Sequence, residues 1–178
     1  MAFDKTRHHR RSIRWHRWNY AGQGTYFITT CSRNREHLFG RIEDGSMILS
    51  QIGQMIENTW LNLPSRFPSV DLDEFQVMPN HFHGILALRG EDDVPLGNVM
   101  KVFKSLAFRA HYDFLKDTGT LQFTEARIWQ RNYWDHVVRD EQDLQKCRNY
   151  ILNNPANWQG DDENLNRLLT RMTEHESE

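Results

Sequence analysis

Phe75-Gln-Val-Met-Pro-Asn-His-Phe-His-Gly-Ile-Leu-Ala-Leu88 decides the fold of this 178-residue chain. Alternation up to Met78 and the apolar run after Gly84 predict two strands, joined by a short turn at Pro79-Asn80. In the second strand, residues two apart share a face. His81 and His83 therefore project together, and Phe82 projects to the opposite face. Two neutral imidazoles converging from one strand are a ready bidentate metal site. A second stretch bears on the first. Asn149-Tyr-Ile-Leu-Asn-Asn-Pro155 reads as a helix end, with Tyr150 and Asn154 four apart on one face.

Working outward, Thr25–Cys31 is rich in β-formers and reads as the first strand. Residues 34–46 read as a loop or hairpin. Ile48, Ile52, Met55, Ile56 and Leu63 stand near helical spacing, and Pro64 is expected to stop that helix. Val99, Val102, Phe103, Leu106, Ala107, Ala110, Phe114 and Leu115 mark a second amphipathic helix, on which Lys104 and Arg109 read as a solvated face. Ile128–Val138 reads as a fourth strand. Asp140, Glu141 and Asp143 put acids in the first turn of a last helix, as the helix dipole favours. Asn154 is expected to leave the helical region, because proline follows it. The order is strand, helix, strand, strand, helix, strand, helix. This is the α+β, ferredoxin-like (split βαβ) pattern: a four-stranded antiparallel sheet with helices on one face, plus a C-terminal helix carrying the tyrosine. The face left open is a natural platform for nucleic acid.

Composition narrows the classes. Hydrophobic residues make up 38% of the chain and aromatics 12%, enough for one folded domain with a real core. Mean hydropathy is -0.76, and no stretch has the length and apolarity of a membrane span. The first residues, Met-Ala-Phe-Asp-Lys-Thr-Arg-His-His-Arg, hold no apolar signal core, so export is not expected. Cys31 and Cys147 lack metal-ligand spacing and read as reduced, buried side chains of an intracellular protein.

A net charge of -2 hides an asymmetry. The first twenty residues carry Lys5, Arg7, Arg10, Arg11, Arg14 and Arg17 against Asp4 alone. Residues 160–178 carry six acids against Arg167 and Arg171. A basic arm on a near-neutral protein points to a localised polyanion contact, while a pI near 6.5 argues against indiscriminate coating of nucleic acid. The arm also holds Trp15, Trp18 and Tyr20, which could stack on unpaired bases. The chain thus divides into a basic-aromatic arm (1–23), a folded domain (24–158) and an acidic polar tail (159–178).

Taken singly, these features have ordinary readings. Same-face histidines are common in strands, a tyrosine before Asn-Asn-Pro can simply pack, and His136 reads as a structural strand residue. Jointly they resemble the single-tyrosine HUH transposases, and most closely the REP-associated tyrosine transposases. Four blocks carry the resemblance: Val77-Met-Pro-Asn-His-Phe-His-Gly-Ile-Leu86, Trp129-Gln-Arg-Asn-Tyr133, His136-Val-Val-Arg-Asp-Glu141 and Tyr150-Ile-Leu-Asn-Asn-Pro155. The resemblance covers residues 20–158 and implies that the 24–158 domain is catalytic.

The resemblance implies that Tyr150 is the nucleophile and that His81, His83 and Asn154 bind a divalent cation, Mg²⁺ or Mn²⁺. Related transposases often use Gln at the last position. Attack on a phosphodiester would leave a 5′-phosphotyrosine and a free 3′-OH. The bond energy is kept, so strand transfer needs no ATP. The expected partner is single-stranded or hairpin DNA, read in part by Arg10, Arg11, Arg14, Trp15, Arg17 and Trp18. The expected setting is a monomer in the cytoplasm, associated with the nucleoid. Two other classes fit the same sheet: a non-catalytic nucleic-acid-binding protein, and a metal-dependent hydrolase that activates water. Tyr150 separates them, because neither needs a tyrosine facing the metal.

Overall fold

A computed structural model of the chain describes residues 22–90, 94–120 and 127–158. The arm residues Arg10, Arg11, Arg14, Trp15, Arg17 and Trp18 and the acidic tail lie outside the described residues.

Strand β1 (Gly24–Cys31) is followed by a 3₁₀ turn (Arg33–Arg35), a small hairpin of β2 (Gly40–Glu43) and β3 (Ser46–Leu49), and helices α1 (Gln51–Leu61) and α2 (Leu63–Arg66). The chain continues through β4 (Val70–Val77), β5 (His81–Leu88), α3 (Leu96–Asp117), β6 (Trp134–Val138) and α4 (Glu141–Asn153). The four long strands form one sheet in the order β4-β5-β1-β6, antiparallel throughout. This is the α+β, ferredoxin-like arrangement with an added C-terminal helix.

Helices α1 and α3 pack on one face of the sheet. Trp60, Phe82 and Phe103 meet there with ring centroids 4.8–5.2 Å apart, over Tyr26, Ile28 and Leu86. Gly84 is required by this packing: a Cβ there would lie 2.7 Å from the Trp60 indole. The opposite face is not left open. Phe27 and Ile85 project into it and meet Cys147 and Ile151 of α4. Asp140 caps α4, its carboxylate accepting from the Asp143 N–H at 2.8 Å.

Between Leu72 and Phe75 the register of β4 against β5 shifts. Such a bulge sets two residues against one. It allows Leu72 and Phe75, three apart, both to pack in the α1/α3 core, while Asp73 reaches α4.

Four expectations are corrected. The fourth strand begins only at Trp134. Ile128 and Trp129 join the sheet through an isolated bridge to Ser32, and then the carbonyls of Gln130 and Asn132 turn to the Lys104 ammonium, at 2.6 and 2.9 Å. Lys104 is accordingly no solvated residue; burial pushes its ammonium down to about 8, whereas Arg109 stays exposed beside Asp113. Pro64 opens α2 at its first turn, where a missing N–H costs nothing, after α1 has already ended at Leu61. Asn154 keeps helical angles (φ −59°, ψ −46°) despite Pro155. The chain goes on turning, with Asn157 N–H donating to the carbonyls of Asn153 and Asn154. That extra turn delivers Trp158 to the sheet.

Candidate active site

His81 and His83 lie on the α4 face of β5, opposite Cys31 and Thr29 of β1. Both are fully buried. Their rings meet edge to face with centroids 4.5 Å apart. Each ring is fixed by a bond at Nδ1. Asn80 Oδ1 accepts from His81 Nδ1 at 2.8 Å, and the Thr29 hydroxyl meets His83 Nδ1 at 2.8 Å. In His81 this bond puts the proton on Nδ1 and the lone pair on Nε2. Phe27 stacks on His83 at 5.2 Å.

Burial sets the charge state. It pushes His83 down to about 3, against a hydrogen bond with the Ile28 backbone that works the other way. It pushes His81 well below its ordinary value, helped by His83 and the positive charge of Arg35. Both imidazoles are therefore neutral at physiological pH. Arg35 belongs to the turn after β1, where it and Asn34 take left-handed backbone angles, φ 56° and 54°. Backbone of that kind stores about 1–3 kcal/mol per residue and tends to border working sites.

Helix α4 brings the other predicted residues to the histidines. The Tyr150 ring sits edge-on to His83, with centroids 5.2 Å apart, and to Phe27 at 6.0 Å. Two turns further on, Trp158 stacks on His81 at 6.0 Å and meets His37 at 5.4 Å. In sequence Asn154 stands between Tyr150 and Trp158. It is 4% exposed. Its Oδ1 and the His83 Nε2 are buried with no hydrogen-bond partner among the described residues. The rings of His81, His83 and Tyr150 are thus in contact, and Asn154 is buried one helical turn beyond Tyr150.

Nothing in the local pattern marks Thr29, Asn80, Arg35 or Trp158 for this role. Asn80 precedes His81 directly and could have been suspected. Thr29 needs the β1–β5 register, and Trp158 needs the helical turn through Pro155.

A separate group sits at the start of α4. Ligand atoms of His136, Asp143 and Cys147 lie within 4.8 Å of one another, a set that could hold a metal ion. Its internal bonds favour another role. His136 Nε2 bonds Asp143 Oδ2 at 2.9 Å, and the Arg139 N–H donates to the same oxygen at 3.1 Å. Burial would raise the Asp143 carboxyl, yet these two donors hold it below its usual value. Burial, with Asp143 nearby, pushes the Cys147 thiol up to about 12, so it stays protonated. The group is a polar tie between β6 and α4. Among the described residues no helix is long and apolar enough to cross a membrane.

Two of three comparisons with known proteins find relatives. No family model matches the chain. An uncharacterised protein of Haemophilus influenzae is 35% identical over 179 residues, spanning 86% of this chain and 92% of the relative. A REP-associated tyrosine transposase of Escherichia coli is 28% identical over 142 residues, spanning 77% of this chain and 69% of that protein. Among solved structures, a REP-associated tyrosine transposase bound to a REP hairpin matches with a TM-score of 0.57 and 25% identity, over 80% of this chain and 72% of the other. The sequence comparison and the backbone comparison each find a REP-associated tyrosine transposase. This chain is thus similar, in sequence and in fold, to REP-associated tyrosine transposases.

Proposed function

We propose that this protein is a metal-dependent single-strand DNA endonuclease and strand transferase that recognises REP-type hairpins and cleaves through Tyr150. The observation that carries the reading is the meeting of Tyr150 with His83 at 5.2 Å, beside a His83 Nε2 and an Asn154 Oδ1 that are buried without partners among the described residues. Leaving such atoms unbonded costs about 1–3 kcal/mol each, and a cation held by both would remove that cost. The donor set suits Mn²⁺ or Mg²⁺: neutral imidazole nitrogen from His81 and His83, amide oxygen from Asn154. A bound cation would polarise a phosphoryl oxygen and offset developing charge.

The chain's own residues do the rest. Asn80 and Thr29 hold each imidazole by its Nδ1, with the Thr29 hydroxyl accepting from His83, and so present the opposite nitrogen. Phe27 and His83 hold the Tyr150 ring. The Tyr150 oxygen attacks phosphorus, the 3′-oxygen of the neighbouring nucleotide leaves, and the 5′-phosphate stays on the tyrosine. The free 3′-OH can reverse the step by attacking the phosphotyrosine, or a different 3′-OH brought to the site can attack it, releasing Tyr150 and completing strand transfer. Trp158 closes the His81 side of the site against water.

Residues 24–158 act as the catalytic unit in this reading. The arm of residues 1–23 binds the hairpin, with Arg10, Arg11, Arg14 and Arg17 on phosphates and Trp15 and Trp18 on unpaired bases. The protein works as a monomer in the nucleoid-bearing cytoplasm, with its tyrosine serving its own site. The test is a labelled REP-hairpin oligonucleotide incubated with Mn²⁺ and run on a denaturing gel. Wild type should give a covalent adduct and Tyr150→Phe none, with hairpin binding retained. An adduct formed by Tyr150→Phe at the wild-type rate would move the nucleophile elsewhere, Tyr133 being the first place to look.

A further inference from the structure

Helix α4 is tied to the sheet twice, once at each edge. The sheet order places β6 and β4 at opposite edges. At the β6 edge, His136 holds Asp143 at 2.9 Å in the first turn of α4. At the β4 edge, Arg148 grips Asp73 as a fork, Nε to Oδ1 at 2.9 Å and Nη2 to Oδ2 at 2.6 Å. Asp143 and Arg148 are five residues apart, a rise of about 7.5 Å, and the long Arg148 side chain covers the remaining reach across the sheet. Under the helix lies an apolar patch, Cys147 and Ile151 on Phe27 and Ile85, with Leu144, Tyr150 and Val138 packed against it. Tyr150 is two residues beyond the second tie.

Apolar contact of this kind leaves the rotation and axial position of a helix loosely set. Apolar contact is non-directional, whereas a bidentate guanidinium–carboxylate pair fixes both distance and plane. The bulge in β4 is what brings Asp73 to this face without removing Phe75 from the core. The polar ties contribute little to stability, being partly exposed, so their use lies in aim.

We propose that Asp73–Arg148 and His136–Asp143 are positioning pairs that set the reach and rotation of α4, and so aim Tyr150 at the histidine pair. The proposal rests on the reading of Tyr150 as the nucleophile. A displacement of the attacking atom by about 1 Å can cost up to 10²-fold in rate. Neither pair touches DNA in this role, so hairpin affinity should not change.

The experiment measures the single-turnover rate of adduct formation at saturating hairpin, with hairpin affinity and melting temperature measured alongside, on the full chain with Mn²⁺. Asp73→Asn and Arg148→Gln should each slow the adduct about 10- to 100-fold, and the double variant should be no slower than either single. Affinity should hold and the melting temperature should barely move. At the other edge, His136→Ala should slow the reaction, and His136→Gln, whose amide can still donate to Asp143, should recover most of the loss. Amide hydrogen exchange along α4 should quicken in the slow variants, a readout that does not depend on which residue attacks. Wild-type rates in Asp73→Asn and Arg148→Gln, beside an inactive Tyr150→Phe, would overturn the positioning role and leave the nucleophile standing. An active Tyr150→Phe would instead remove the nucleophile reading. Loss of rate in His136→Gln equal to that in His136→Ala would overturn the proposal at that edge, since the imidazole itself would then be in use. Additive losses in the Asp73→Asn/Arg148→Gln double variant would likewise overturn the pairing.

Discussion

The two faces of the sheet are built on opposite terms. The α1/α3 face is dry and ring-packed: Trp60, Phe82 and Phe103 interlock and are fully buried. The α4 face buries two imidazoles and an amide over a narrow apolar strip and relies on polar ties at the edges. One strand, β5, serves both: Phe82 and Leu86 point into the first face, His81 and His83 into the second. The difference teaches a division of labour. Apolar burial on one side supports a second side that buries His83 Nε2 without a partner among the described residues.

The sharpest way to break this comparison is to remove one large side chain from each face. Trp60→Ala should cost about 3–5 kcal/mol of unfolding free energy, as large-to-small changes in a close-packed core do. Tyr150→Ala, half-buried on the other face, should cost far less in urea melts yet end adduct formation. Equal losses from the two would mean that both faces carry the fold.

The next effect concerns the histidines. Mn²⁺ at about 100 times its dissociation constant should stabilise the wild-type protein by about 2.7 kcal/mol, read as a rise in melting temperature. His83→Ala and Asn154→Ala should each shrink that rise, whereas Thr29→Ala should shrink it less, because Thr29 orients the ring and holds no metal. A full rise in His83→Ala would place the cation elsewhere, with His136, Asp143 and Cys147 the group to test.

Gly84→Ala sits on the boundary between the faces. Its new Cβ would press on Trp60, and overpacking of this kind costs about 1–3 kcal/mol. The loss should appear in stability, and the Mn²⁺-induced rise in melting temperature should persist. Disappearance of that rise would show that the two faces are coupled through the strand.

How much of this was legible in the sequence follows the same division. The long elements and the strand carrying His81 and His83 are written in local periodicity. So is the shared face of Tyr150 and Asn154, which only needs α-helical spacing. The apparent strand at Ile128–Tyr133 misled because a β-like pattern says nothing of where carbonyls go, and here Lys104 takes them. Lys104 misled for the converse reason: a charged residue on an amphipathic helix reads as solvated unless its acceptors, 26 to 28 residues away, are known. Trp158 and the Asp73–Arg148 fork are tertiary facts. The fork joins residues 75 apart and depends on a bulge that leaves no mark in composition.

The smallest predicted effect tests the fork by acid. The Arg148 bond holds the Asp73 carboxyl below its ordinary value of 3.8, against the opposing pull of burial. A carboxyl depressed in the folded state lends stability that is fully present above the unfolded value and is lost as pH falls through the folded one. The gap in urea midpoint between wild type and Asp73→Asn should therefore be constant from neutral pH down to the region of 3.8, and should close below it. Its size should stay under about 1 kcal/mol, since both partners are partly exposed and screened by solvent. Salt should shrink the same gap at neutral pH. A gap that ignores both pH and salt would show that Asp73 acts through packing or backbone alone, and the fork would lose its electrostatic part. A small gap with the expected pH and salt dependence, beside a large loss in adduct rate, would separate aim from stability at this helix.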